Sequence, residues 1–362
     1  HSSHLFGRRI RAAAPGRAYQ RQEQAVPINA VCLRTPHHWR VAMRISAVLC
    51  ALVCVFPLAS AYAQDYPSRP VRIVVGYTPG GGTDLLGRIV AKKLGELWSQ
   101  QVIVDNRPGA GGNIATELVA KAPPDGYTLL VAPSTHAIAP NLYSKLPFDT
   151  LKDFTFITLV AAGPNILVVH PSVPATTVKE LIALAKRRPG ELTFASAGIG
   201  ATTHLAGEYF KSVAGIDVLH IPYKGSSQAQ IDLVGGQVSF MVDSMPSALP
   251  KVQANKIRAL ATTGKKRFPA LPDVPTVLES GLPYESISWW GVVGPAHMPQ
   301  PIVNKLLAEI TRIMALPDVK ELVATQGAEA TTDTPQQFLD YVKQETALYG
   351  KIIKAANIRI EQ

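Results

Sequence analysis

Apolar positions along the chain fall into two alternating rhythms. Short β-branched runs at 71–77 (VRIVVGY), 101–105, 127–132, 166–170, 192–196, 218–222, 238–243, 257–263 and 288–294 predict buried strands. Between many of them apolar residues recur every three or four positions. Leu85, Leu86, Ile89, Val90, Leu94 and Leu97 mark one face of a helix, and the same spacing predicts helices over 112–121, 177–188, 202–213, 226–234, 301–315 and 334–356. Strand–helix alternation predicts an α/β architecture with mainly parallel sheets flanked by helices. Right-handed crossovers then gather the loops that follow strand ends on one rim of each sheet.

The span 64–362 is long for one open sheet. The Pro/Gly-containing stretch AAGPN (161–165) reads as a crossing between two lobes, and 286–295, ending in Gly294-Pro295, as its return. Expected boundaries are therefore 64–164 for the first part of lobe one, 165–288 for lobe two and 289–362 for the return, the two crossings serving as hinge. The helix at 334–356 carries Phe338, Tyr341, Val342, Leu348, Ile352 and Ile353 near one face and is expected to pack back on lobe one.

Upstream the rhythm stops. Met43-Arg44-Ile45-Ser46 precedes the apolar run AVLCALVCVFPLAS and then Ala61-Tyr62-Ala63, the layout of a signal peptide (43–63) with cleavage near Ala63. Residues 1–42 contain no Met and no sustained apolar period, and are expected to lie outside the mature protein. This division changes the charge. Lys+Arg 36 against Asp+Glu 26 make a basic chain of +10. Eight arginines and only Glu23 fall within 1–63, leaving residues 64–362 at +3. That near-balance removes the electrostatic ground for a nucleic-acid partner. Cys32, Cys50 and Cys54 also lie upstream, so the remainder has no disulfide and no thiolate metal site, and no cysteine stands at the cleavage point to take a lipid. A soluble, exported monomer without cofactor is expected.

Candidate chemistry sits at strand ends. Gly80-Gly81-Gly82-Thr83-Asp84 follows one strand and opens a helix, offering backbone N–H groups at a positive helix end to an anion. A phosphate loop would need Lys where Thr83-Asp84 stand, and a dinucleotide fingerprint would need Gly at Leu85. A plain turn capped by Thr83 or Asp84 is the alternative. Ser196-Ala197-Gly198-Ile199-Gly200-Ala201-Thr202-Thr203-His204 repeats the arrangement, with hydroxyls at Ser196, Thr202 and Thr203 and glycines at 198 and 200 that allow close approach. Ala132-Pro133-Ser134-Thr135-His136 ends a third strand, where an ordinary turn is the alternative. Asp243 closes the run VSFMVD and is suited to orient a ligand or, with Ser196 and His204, to imitate a hydrolase triad. No G-x-S-x-G elbow supports that triad. His136, His170, His204, His220 and His297 lack metal-ligand spacing. Trp289-Trp290 read as core, and Lys265-Lys266-Arg267 as a solvated loop.

Together the runs GYTPGGGTDLLGR, VDNRPGAGGNIATELVAKAPPDGYTLL, SAGIGATTHLAGE, HIPYKGSSQAQIDLVGGQVSFMVD and LPDVPTVLESGLP resemble the Bug receptors, the extracytoplasmic solute-binding proteins of tripartite tricarboxylate transporters. The likeness runs from about residue 66 to the end of the chain. It implies a two-lobed periplasmic binding protein of type II-like architecture, not an enzyme, holding a small carboxylate in its cleft and passing it to membrane subunits. A dicarboxylate, tricarboxylate, acidic amino acid or aromatic acid fits that description. The resemblance implies binding roles for Tyr77, Gly80, Gly81, Thr83, Asp84 and Ser134 from lobe one, and for Ser196, Gly198, Gly200, Thr202, His204 and Asp243 from lobe two. Bulk at Gly81 is expected to abolish binding. The chain departs from the family pattern at Tyr77-Thr78, Ile199 and Ala201, which predicts a less polar environment for the far end of the ligand. A secreted hydrolase using Ser196, His204 and Asp243, or a receptor feeding a sensor, are the rival readings.

Overall fold

The structure, a computed structural model, describes residues 66–358. The leader read at 43–63 and the extension 1–42 lie outside the described residues. Elements run β1 (Val71–Val75), α1 (Gly82–Trp98), β2 (Val102–Asn106), α2 (Asn113–Ala120), β3 (Thr128–Pro133), α3 (Thr135–Leu142) and β4 (Phe154–Val169). There follow α4 (Val178–Arg187), β5 (Thr193–Ser196), α5 (Thr202–Ala214), β6 (Leu219–Pro222), α6 (Ser226–Val234), β7 (Phe240–Ser244), α7 (Met245–Gln253) and β8 (Arg258–Thr262). The chain closes with β9 (Ile287–Pro295), α8 (Gln300–Ala315), α9 (Pro317–Thr325), β10 (Glu329–Ala330) and α10 (Pro335–Ala355).

Each lobe holds a parallel trio, β2-β1-β3 in the first and β7-β5-β6 in the second. The crossing strands join them antiparallel, in the order β2-β1-β3-β9-β4-β7-β5-β6. β4 belongs to both lobes. Its first half pairs with β9 and β10, and its second half with β7 and β8. The AAGPN stretch expected as a crossing is thus regular strand in the middle of β4. Pro164 is tolerated there because the last pair on the β9 side is Pro164↔Ile287, and the ladder passes to β7 at Asn165↔Ser244.

Burial follows the two-residue strand period. Val71, Ile73 and Val75 face a core built with Leu86, Val90 and Leu94 of α1 and Ile302, Leu306 and Ile310 of α8. Val74 and Leu130 face the opposite core, with Phe338 and Val342 of α10. In lobe two, Leu167, Phe194 and Phe240 face one core while Ile166, Ala195 and Met241 face another. α10 starts sharply because Thr334 and Gln337 form a reciprocal capping box, and it packs on lobe one as expected. Phe338 is fully buried, edge-on to both Phe156 and Trp289. Its truncation to Ala would cost about 3–5 kcal/mol. Among the described residues no helix is long and apolar enough to cross a membrane.

Candidate functional site

Five strands hand directly to helices on the same rim: β1 to α1, β3 to α3, β5 to α5, β6 to α6 and β7 to α7. A cavity of about 40 Å³ lies where these turns meet between the lobes. It is lined by Tyr77, Gly81, Gly82, Thr83 and Pro133 from lobe one, Ala197, Ala201, Thr202, Thr203, Ser226 and Ser244 from lobe two, and Ser288 and Trp290 from β9. None of these carries a charge. The first turns of α1, α5, α6 and α7 all reach it, and none of the four helices has a side-chain N-cap hydrogen bond. Four positive dipole ends therefore converge on one small volume, with free backbone N–H groups chiefly from α1, α5 and α6, since in α7 the Ser244 amide donates to Asp243 and Pro246 has no N–H.

The hydroxyls are also poised. Trp290 donates its indole N–H to Thr83 Oγ1 at 3.1 Å, and the Ala197 amide donates to Thr203 Oγ1 at 2.8 Å. Both threonines keep their own protons free to donate into the cavity. Ser226 Oγ donates to Asp243 Oδ1 at 2.7 Å and Ser288 Oγ to Asn165 Oδ1 at 2.6 Å, so these two present acceptors. The site offers mainly donors, with two acceptors at its edge.

The lobes touch directly around it. Thr78 Oγ1 lies 2.8 Å from Ser227 Oγ, Thr135 Oγ1 lies 3.2 Å from Thr202 Oγ1, and the Tyr143 hydroxyl donates to the Ile199 carbonyl at 3.0 Å. Gly111, at φ +63°, brings lobe one so close that a Cβ would stand 2.5 Å from the Ile199 carbonyl oxygen. The cleft is closed.

Of the residues expected in the site, Tyr77, Gly81, Thr83 and Thr202 line the cavity. The others stand behind it. Asp84 accepts from the Gly80 amide (2.8 Å), Arg88 Nε (2.9 Å) and Asn106 Nδ2 (2.9 Å), which shapes the first loop from within. Burial opposes its ionisation, but these donors outweigh that and hold its carboxyl below the ordinary carboxylate range. Ser134 Oγ accepts from the Trp289 amide at 2.9 Å and ties α3 to β9. Ser196 Oγ lies 2.6 Å from His220 Nε2 and accepts from the Gly198 amide. His204 Nδ1 accepts from the Gly200 amide at 3.2 Å, and its ring stacks on His220 with centroids 4.2 Å apart. Asp243 is fully buried, held by Ser226, Gln230 and the Ser244 amide. Burial raises its pKa, opposed by those same donors. Ser196, His204 and Asp243 do not assemble as a triad: Ser196 meets His220, and Asp243 serves the starts of α6 and α7.

Glycine sensitivity falls one residue later than expected. A Cβ on Gly81 meets nothing closer than 3.8 Å, whereas one on Gly82 stands 2.8 Å from Ser244 Oγ and 3.3 Å from Trp290. A Cβ at Gly82 crowds Ser244 and Trp290 and opposes closure, whereas a single methyl at Gly81 is accommodated. Ile199 is exposed and turns its carbonyl to Tyr143, so the apolar wall comes instead from Pro133, Ala197, Ala201 and Trp290. Sequence reasoning also missed Ser226, Ser244 and Ser288 as cavity-lining residues, although Ser226 lies within one of the runs that carry the resemblance.

Residues 86–358 match the model of the tripartite tricarboxylate transporter family receptor. BugT of Bordetella pertussis (strain Tohama I) is 33% identical over 88% of this chain and 99% of its own length. The solved structure of R. palustris Rpa4515 with adipate is 38% identical, covers 82% of this chain and 99% of its own, and superposes with a TM-score of 0.80. MatC (Rpa3494) from Rhodopseudomonas palustris with bound malate is 30% identical over 80% of this chain and all of its own, with a TM-score of 0.77. A closed two-lobed cleft fed by helix N-termini and a match over most of the described chain lead to one assignment: the chain belongs to the tripartite tricarboxylate transporter receptor family of extracytoplasmic solute-binding proteins.

Proposed function

We propose that this receptor is exported to the periplasm, encloses a small organic carboxylate between its lobes and delivers it to the membrane subunits of a tripartite transporter, acting as a monomer. The observation that carries the ligand class is the convergence of four helix starts without side-chain caps on an uncharged cavity. Each exposed helix end contributes roughly 0.3–1 kcal/mol toward an anion, and more when partly buried, so four acting together replace an arginine. The acceptors at Ser226 and Ser288 favour a carboxylate that also bears a hydroxyl or a second, protonated carboxyl group. Malate, held by one relative, bears such a hydroxyl; adipate, held by another, is a plain dicarboxylate.

Tyr77, Gly81, Thr83 and Thr202 contact the ligand in this reading, joined by Gly82, Thr203, Ser226, Ser244, Ser288 and Trp290. Gly80, Asp84, Ser134, Ser196, Gly198, Gly200, His204 and Asp243 shape the loops that present them. The lobe boundary at 164/165 is supported by the passage of the β4 ladder from β9 to β7 between Pro164 and Asn165, while Ile287 and Ser288 already pair with the first half of β4, which moves the return crossing to just before Ile287. Export rests on the signal at 43–63 and on the extracytoplasmic nature of the family.

A thermal-shift series with di- and hydroxycarboxylates tests the function. A saturable rise is expected, about 2.7 kcal/mol of stabilisation at a hundredfold excess over Kd, with the ligand recovered unchanged. Absence of any shift across the series, or turnover of the ligand, would contradict it.

A further inference from the structure

Beside the central cavity lies a second and much larger one, of about 500 Å³, between α5 of lobe two and α10 of lobe one. Thr202 lines both. Its neighbours divide between them: Thr203 faces the central cavity, while Leu205 and Ala206 face the side cavity. The hinge strand divides in the same way, Ser288 lining the first and Ile287 the second. The two spaces therefore share Thr202 as a wall residue, and the start of β9 contributes to both.

The side chain of Thr202 is held in that wall. Tyr77 donates its hydroxyl proton to the Gly111 carbonyl at 2.7 Å, and so accepts from Thr135 Oγ1 at 2.8 Å. Thr135 in turn accepts from Thr202 Oγ1 at 3.2 Å. This chain of hydroxyls crosses from lobe two to lobe one and completes the wall only when the cleft closes. Beyond the wall the side cavity is lined by aliphatic groups and by tyrosines 209, 341 and 349, with Lys265, Glu285 and Glu345 also on its wall. Its aliphatic and aromatic part suits a hydrocarbon tail, while two glutamates against one lysine oppose a second carboxylate headgroup.

We propose that Thr202 is a length gate: it confines the ligand to the central cavity and sets the longest carboxylate the receptor encloses. This rests on the carboxylate reading above, and one experiment separates the two. Affinities for succinate and for straight monocarboxylates of four to nine carbons are measured by titration calorimetry on the wild type, Thr202→Ser, Thr202→Ala and Thr202→Ala/Leu348→Trp. Leu348 is half exposed on the far wall of the side cavity, so the tryptophan narrows that space without entering a core.

The wild type should prefer four carbons to nine by about tenfold or more, and Thr202→Ser should keep that ratio. Thr202→Ala should lower it by about tenfold or more, since two buried methylenes at roughly fourfold each already supply that factor once the tail has somewhere to go. The added Leu348→Trp should restore it. A uniform loss in Thr202→Ala with the ratio unchanged, or a wild type indifferent to length, overturns the gate and leaves the carboxylate reading standing. A wild type that binds neither succinate nor any monocarboxylate of the series overturns both.

Discussion

Behind the first-lobe loop, Asp84 is gripped by the Gly80 amide, Arg88 and Asn106; behind the second-lobe loop the brace is a pair of stacked imidazoles, His204 and His220, tied to Gly200 and Ser196. Both loops do the same work, holding backbone amides toward one cavity. One uses an ion pair whose arginine reaches solvent, the other a buried neutral stack. Burial pushes His204 down to about 4 and His220 to about 3, the second also by its neighbour His204. The presenting surface alone does not dictate its support. Glycine-rich turns that expose N–H groups can be fixed from behind by either chemistry, provided every polar atom finds a partner.

The comparison is most severely tested where the loops meet the opposite lobe. Gly82→Ala should weaken ligand binding by about a hundredfold, because its Cβ must displace Ser244 or prevent closure, a cost on the order of 2–3 kcal/mol. Gly81→Ala should stay within about threefold. Calorimetry on the pair, with melting temperatures to verify folding, decides between them; equal losses would mean that the first loop moves as a unit.

Acid should separate the two braces. The imidazoles stay neutral in the fold, while in the unfolded chain they protonate below about 6.5. The unfolded state therefore gains protons that the folded state refuses, and stability falls as pH drops from about 6.5 toward 4, by a few kcal/mol at most. Asp84 changes stability in the same direction but in a lower pH window. Its depressed pKa contributes stability that is present above the ordinary value of 3.8 and lost only as pH falls below it. Hydrogen exchange at the amides of 198–204 should accelerate by pH 4.5 while that at 80–84 stays protected. Simultaneous loss of both would end the distinction.

Asp84→Asn should cost about 1.5–3 kcal/mol of stability, since a charge-assisted bond to Arg88 is lost while a polar group remains in place. Denaturant titration at pH 7 measures it. The smallest effect belongs to the latch. Tyr143→Phe removes the bond to the Ile199 carbonyl and should weaken every ligand alike by about 2- to 10-fold, through faster dissociation. A loss confined to one ligand would mean that Tyr143 contacts it.

How much of this was legible in the sequence depended on locality. Gly80–Asp84 and Ser196–His204 stand out because each compresses a strand end, a turn and a helix start into a few residues. Ser226, Ser244 and Ser288 do not, because each is a common residue whose role exists only when segments far apart in the chain converge. The helices α3 and α7 were hidden by Pro140 and by Pro246 and Pro250, and the first half of β4 by its Gly-Pro step. In each case tertiary contacts overrode a local signal. The Ser196–His220 contact follows from β5–β6 pairing across 24 residues, which no spacing rule anticipates. The near-balanced charge of residues 64–362 was readable by arithmetic, and so was the lack of any cation in either loop.

That lack has a consequence for the surroundings in which such a receptor works. A cavity that holds its anion by amide dipoles and hydroxyls, sealed between two lobes, admits no mobile ions to screen the contact. An exposed arginine pair would loosen as the medium grew saltier. Here dissolved salt meets only the outer faces of the lobes, and the grip on a captured acid should stay nearly constant from dilute to saline surroundings.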